Sequence, residues 1–362
     1  MIWDRISPGR FMMETYQQMD LFHDNNDLPA ETIQADPRPP LTVTWNLWHG
    51  CKKVSPGCAN CYMFRRDEEY GKDPTIVHKT SSFSLPVRKY RSGPYKGLHR
   101  IPAGSLIYTC FTSDFFIEEA DDWRPEAWDM IRRRPDCSFF MITKRPERIL
   151  QCLPADWGKG WDHVHISCTC EDQTRADRRL PVFLKLPIRH KSITHEPMLE
   201  AIDIRKYLAE YGNSVNENGS RILESVSCGG ESGPKARICD YGWVLNTHIQ
   251  CVEYGVPFHF HQTGARLRRS VPDGHGGHIQ KIYEIPREYQ HTQAEKAGLD
   301  YGGGLRFLPA FQPTVLLYVK SQKKREAIKP GIHLIRYIID GYFRSIFNVN
   351  NKKRGANRDM LN

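Results

Sequence analysis

No run of 18 apolar residues occurs in this 362-residue chain, so no segment is expected to span a membrane. The longest candidate, Ile332 to Val349, is broken by His333, Arg336, Asp340, Arg344 and Asn348. The first residues hold no apolar stretch of signal-peptide length and no small-residue cleavage site. Cysteine is not arranged for a disulfide scaffold: there are 11, an odd number, scattered except for one cluster. Without a secretory signal that pattern points to a reducing, cytoplasmic setting, where clustered cysteines serve as ligands rather than crosslinks. No internal repeat is present. Hydrophobic residues make up 40% of the chain, enough for a sizeable core and too many for a disordered chain.

Charge is placed unevenly. The net value is +9, yet from Thr263 onward there are 18 Lys and Arg against 8 Asp and Glu, leaving 33 against 34 in the rest. A neutral body with a basic C-terminal region favours polyanions, nucleic acid above all. A solvated basic tail is the plain alternative.

Short apolar segments alternate with helix-like stretches. Leu41–Trp45 leads into the cysteine loop, and Gly104–Cys110 ends in Thr112-Ser113-Asp114 before a helical pattern over Pro125–Arg134. Ser138–Ile142 ends in Thr143-Lys144-Arg145-Pro146. His163–Ser167 ends in Cys168-Thr169-Cys170-Glu171-Asp172, followed by Gln173–Arg179. Ile188–Ile193 ends in His195-Glu196-Pro197, and Ile222–Ser227 in Cys228-Gly229-Gly230-Glu231. A helix over Tyr241–Tyr254 precedes the strand Pro257–His261. Repeated strand–loop–helix units predict a parallel sheet, a complete or partial barrel, in which ligands sit at the carboxyl ends of the strands. Every polar cluster just named falls at such an end, which points to an enzyme. The expected organisation is an N-terminal extension over 1–40, an α/β core over 41–264 and a basic region over 265–362. In the last, a helix is expected from Ile285 to Ala297 and an apolar helical stripe over Ile332–Phe347.

The cysteine cluster reads Gly50-Cys51, then Lys52-Lys53-Val54-Ser55-Pro56-Gly57-Cys58-Ala59-Asn60-Cys61-Tyr62, a Cys-x6-Cys-x2-Cys spacing. Two thiolates three apart on a tight turn can reach one metal centre, and a three-thiolate set leaves one position open. Structural zinc closes with four ligands and iron–sulfur clusters with four cysteines, so an open 4Fe–4S cluster and a zinc site completed by His49, Cys110 or Cys168 both stand as expectations.

These residues, with Thr44-Trp45-Asn46 before them, resemble the three-Cys-motif family of phage and bacterial proteins of uncharacterised function. Further blocks follow in that family's order: Thr112-Ser113-Asp114-Phe115-Phe116, Thr143-Lys144-Arg145-Pro146-Glu147-Arg148, Glu171-Asp172-Gln173, Glu196-Pro197, Gly229-Gly230-Glu231-Ser232-Gly233-Pro234 and Gly255-Val256-Pro257-Phe258 with Gln262. The likeness covers about residues 41–300. The family is distantly similar to radical S-adenosylmethionine enzymes such as spore photoproduct lyase. That resemblance implies a partial (β/α)6 TIM-like barrel, a 4Fe–4S cluster on Cys51, Cys58 and Cys61, bound S-adenosylmethionine, an external electron donor and a 5′-deoxyadenosyl radical acting on a substrate, nucleic acid among the choices. The chain departs from the superfamily in its six-residue first gap, and in carrying Gly229-Gly230-Glu231 far downstream of the second strand.

Under this reading, Ser113 and Asp114 hold the cofactor's ammonium group, Lys144 and Arg145 its carboxylate, and Glu171 with Asp172 its ribose. Each has a structural alternative: a turn or cap for Asp114 and Asp172, a surface pair for Lys144 and Arg145. Glu196, Glu231 and His261 are the candidate catalytic residues, with Gln262 beside them; a salt bridge from Glu196 to Lys144 and a satisfied core histidine are the bland versions. The rival function is a metal-stabilised nucleic-acid-binding module without catalysis, and a partner-dependent component of a phage or defence system is a third.

Overall fold

The computed structural model describes residues 36–215, 219 and 221–303. The chain divides into units 1–37 and 38–362; nearly all described residues belong to the second, and the expected stripe over Ile332–Phe347 lies outside them. Seven strands form one sheet: β1 (Thr42–Trp45), β2 (Leu106–Thr109), β3 (Ser138–Thr143), β4 (Val164–Thr169), β5 (His190–His195), β6 (Leu223–Gly229) and β7 (Phe258–Gln262). They lie side by side in chain order and every pairing is parallel. The sheet is open and strongly curled. Helices α1 (Tyr62–Glu69), α2 (Arg124–Arg132), α3 (Pro146–Cys152), α4 (Gln173–Phe183), α5 (Arg205–Tyr211) and α6 (Tyr241–Glu253) occupy the crossovers.

One sheet face is apolar because alternate strand residues are. Ile107, Phe139, Met141, Ile166, Ile193, Val226 and Cys228 share a core with Ala127, Trp128, Ile131, Ile149, Leu180, Phe183, Leu208 and Val244 from the helices. Parallel strands need crossovers, and an apolar stripe on each crossover helix seals the face it covers. Caps mark the helix starts: Asp172 accepts from Arg175 N at 2.8 Å and Asp240 from Gly242 N at 2.7 Å. Arg134, fully buried, ends the turn after α2 by donating to Ile101 O at 2.9 Å and to the carboxylate of Asp136.

The seven apolar segments read from the sequence correspond to the seven strands. The hairpin β8 (Arg266–Pro272) and β9 (His278–Glu284) was not anticipated. Almost every residue of β9 is exposed, so no hydrophobic alternation marks it. Helix α7 (Gln290–Lys296) follows a 3-10 turn over Arg287–Tyr289, within the stretch expected to be helical. Residues 265–303 are tied to the sheet: Ala265 N donates to Glu231 O at 2.9 Å, and Tyr301 pairs with Phe258 on the outer edge of β7.

Replacing Phe139 by Ala should remove a fully buried ring that packs edge-on against Trp45. A cost of about 3–5 kcal/mol is expected, read as a lower urea midpoint with an unchanged slope.

Candidate functional site

The carboxyl ends of the strands are bridged by the loop over residues 50–61. Gly50 opens it at φ +92°, and a Cβ there would sit 2.2 Å from Ile76 O, so only glycine fits. The loop then contacts four other strand ends. Ser113, after β2, donates to Gly50 O. Arg145, after β3, donates to Lys52 O at 2.8 Å. Glu171, after β4, accepts from Gly57 N at 3.2 Å, and Glu231, after β6, accepts from Asn60 Nδ2 at 2.9 Å. One loop reaches loops after the second, third, fourth and sixth strands because the sheet curls.

The buried carboxylates here are saturated by the chain itself. Asp114 accepts from Phe116 N, Thr143 Oγ1, Lys144 N and Arg145 Nη1, all within 3.0 Å. Glu171 pairs with Arg179 at 2.7 Å; burial pushes its carboxyl up, and the charges of Lys144 and Arg179 override this and hold it below its ordinary value. Glu231 is held the same way by Arg237, whose Nη2 lies 2.6 Å away, and by Asn60. The Nζ of half-buried Lys144 makes no hydrogen bond or ion pair among the described residues.

Glu196 and His261 form a second group at the ends of β5 and β7. Glu196 Oε2 lies 2.8 Å from His261 Nδ1, and Gln262 Nε2 donates to Oε1. Their side chains are 21% and 46% exposed, so this pair opens to solvent. A Cβ on Gly229 would lie 2.6 Å from the Glu196 carboxyl carbon, which explains glycine there. Burial pushes the Glu196 carboxyl up and the His261 ring down; their mutual hydrogen bond overrides both, so Glu196 is lowered and His261 raised. His195, fully buried, bonds through Nδ1 to Cys170 O at 2.6 Å, and burial pushes it down to about 4.

The cysteines do not form the expected centre. Among the described residues no three His, Cys, Asp or Glu side chains are grouped to hold a metal ion. Cys51 Sγ lies 4.0 Å from the Arg145 guanidinium, Cys58 Sγ 3.8 Å from Ser55 Oγ, and Cys61 caps α1. Burial pushes the Cys51 thiol up to about 12, against the pull of Arg145. The 4Fe–4S cluster on Cys51, Cys58 and Cys61 is therefore corrected, and with it bound S-adenosylmethionine, the radical S-adenosylmethionine enzyme, its 5′-deoxyadenosyl radical and its electron donor. The zinc or iron–sulfur version of the binding module falls on the same finding. All eleven cysteines are free.

The inner face of the sheet, opposite the helices, was missed by the sequence reading. Tyr108, Phe140, His165 and His190 are direct register neighbours across β2 to β5 and all are half-buried. Adjacent ring centroids are 5.7, 4.9 and 6.3 Å apart. Above this row lie hydroxyls: Ser167, Ser192 and Ser225, then Thr169, Thr194 and Ser227. Ser167 Oγ is 2.7 Å from Thr194 Oγ1, which is 3.2 Å from Ser227 Oγ. Glu224 lies between His165 Nδ1 at 3.1 Å and His190 Nδ1 at 2.5 Å. Burial pushes its carboxyl up, but the two histidine hydrogen bonds override this and leave it at about 2. Polar residues alternating with apolar ones in β4 to β6 were the available signal.

Strands in sequential parallel order, with loops and polar groups gathered at their carboxyl ends, define an α/β protein built on an open, curled parallel sheet. The chain belongs to the family described as Protein of unknown function (DUF5131), whose model matches residues 41–329. No curated protein and no solved structure matches the chain. Among the described residues no helix is long and apolar enough to cross a membrane.

Two outcomes are expected. Cys51 should resist alkylation near pH 8 in the folded protein and react once urea exposes it, as peptide mass spectrometry would record. Because Glu224 titrates lower when folded than its unfolded value of about 4.3, it stabilises the fold above that pH, and this contribution is lost as pH falls toward about 2. Melting curves of Glu224→Gln should show a flatter decline across that acid range than the wild type.

Proposed function

We propose that the chain binds single-stranded nucleic acid on the inner face of a partial, TIM-like barrel. The observation that carries this reading is the row of half-buried rings, Tyr108, Phe140, His165 and His190, set side by side on four neighbouring strands. Closed barrels fill this space with branched apolar side chains. Here Ser167, Ser192, Thr194 and Ser227 keep it small and polar. Flat rings on a sheet face stack unpaired bases, and hydroxyls beside them offer donors and acceptors to base edges and sugar. Glu196 and His261, at the ends of β5 and β7, supply further hydrogen-bonding groups on the same side.

The basic region expected to meet phosphates divides in two. Arg266, Arg268 and Arg269 lie on β8, where Arg266 pairs with Glu284 at 3.0 Å and Arg268 with Asp240 at 2.6 Å. Lys320, Lys323, Lys324, Arg325, Lys352, Lys353 and Arg354 lie outside the described residues. Cations in this region would add affinity that weakens with salt, while the ring row would add the contact that salt leaves in place.

Fluorescence anisotropy with a labelled oligothymidylate tests the reading. Phe140→Ala should weaken binding by about 5- to 150-fold, equivalent to about 1–3 kcal/mol for one lost base stack. Equal affinity for wild type and variant, or no binding by either at low salt, would remove the inner face as a nucleic-acid site.

A further inference from the structure

Within the same inner face lies an arrangement that base stacking alone does not require. Ser192 Oγ lies 2.9 Å from His165 Nε2, and His165 Nδ1 lies 3.1 Å from Glu224 Oε2. The three residues come from β5, β4 and β6, so three separate strands bring them into line. The serine is 4% exposed, and its side-chain hydrogen bond runs to the histidine rather than back to the chain. This is the geometry of an activated nucleophile: hydroxyl, imidazole in hydrogen-bond reach, and a carboxylate that fixes the imidazole's orientation.

We propose that Ser192, His165 and Glu224 hydrolyse a carboxylic ester, with Ser192 as nucleophile, His165 as general base and Glu224 as positioning residue. Ser192 Oγ bonds to the ester carbonyl carbon while its proton passes to His165 Nε2. The bond from that carbon to the alcohol oxygen then breaks, and His165 returns the proton to the departing alkoxide. Water, activated by the same imidazole, cleaves the acyl-serine to release the acid and restore Ser192. No electrons change hands. The carbonyl oxygen needs a donor as it becomes negative. His190, as the imidazolium that the Glu224 carboxylate at its Nδ1 favours, supplies one on the same face: its Nε2 is buried with no hydrogen-bond partner. Phe140, whose ring centroid is 4.9 Å from that of His165, provides a flat apolar wall for the ester's organic part.

The nearest alternative is a hydrogen-bonded ladder that only holds three strands together. Such a ladder would lose stability on mutation but would never form a covalent adduct. The Glu224 carboxylate also serves His190, so the negative charge orients two rings at once. This inference requires no nucleic acid, and although it shares residues with the binding reading, the adduct map tests it separately from the anisotropy measurement.

The test uses the full chain with a fluorophosphonate probe and a p-nitrophenyl ester. One adduct is expected, mapped by peptide mass spectrometry to Ser192, together with measurable ester hydrolysis. Ser192→Ala should lose both. His165→Ala should lose hydrolysis and regain part of it on adding imidazole, which a structural role would not produce. Glu224→Gln should slow hydrolysis by more than about tenfold, while Glu224→Asp keeps more of it. An unlabelled wild type with a normal melting curve overturns the assignment. So does an adduct on Ser167 or Ser227, or hydrolysis undiminished in Ser192→Ala. If Ser192→Ala does not fold, the adduct map on the wild type decides alone.

Discussion

The buried ion pair between Asp114 and Arg145, 3.0 Å long, is the contact on which the strand-end architecture turns. Both side chains are almost wholly removed from water. Asp114 receives four hydrogen bonds, two of them from the backbone and hydroxyl at the end of β3, so it joins the second strand end to the third. Arg145 also donates through Nη2 to Lys52 O, which pins the cysteine loop over the sheet. Removing one partner of such a buried pair leaves an uncompensated charge, at a typical cost of about 3–5 kcal/mol. The same logic recurs at Glu171 with Arg179 and at Glu231 with Arg237. Three carboxylates that the sequence offers as ligand-binding groups are thus consumed in holding one loop across the mouth.

That use of charge separates the strand-end residues into two kinds. Asp114, Glu171 and Glu231 are saturated and inward. Glu196 and His261 are partly exposed, and the Lys144 Nζ makes no hydrogen bond or ion pair among the described residues. The cysteine loop belongs with the first kind: its backbone is held at Gly50, Lys52 and Gly57 and the Asn60 side chain by Glu231, while the Cys51 and Cys58 thiols lie against Arg145 and Ser55.

Beneath the loop, the inner face changes character by layer. An aromatic row lies under two rows of hydroxyls, and the two histidines of the row share the Glu224 carboxylate. Small hydroxyl residues line this face along β4 to β6, while Phe140 and Ile142 of β3 keep it apolar beside them. A parallel sheet normally buries both faces; here one is packed by helices and the other carries rings and hydroxyls.

How much of this was legible beforehand follows from the range of the forces involved. The strand segments could be read locally, because apolar runs such as Ser138–Ile142 end in polar turns and are followed by helical stripes. The crowding of Asp114, Arg145, Glu171, Glu196 and Glu231 at one end of the sheet also followed, since a parallel sheet sends all its strand ends the same way. The hairpin β8–β9 left no trace because β9 is almost wholly exposed and β8 buries only Leu267. Ser192, His165 and Glu224 are unremarkable in their own segments; they meet only because the register of β4, β5 and β6 sets them beside one another. The three cysteines show the converse, sharing a short loop without sharing a point in space. Composition and periodicity determined the layers of this protein and the end at which its polar loops gather. Strand register and buried charge pairing decided which side chains touch, because those depend on partners far along the chain.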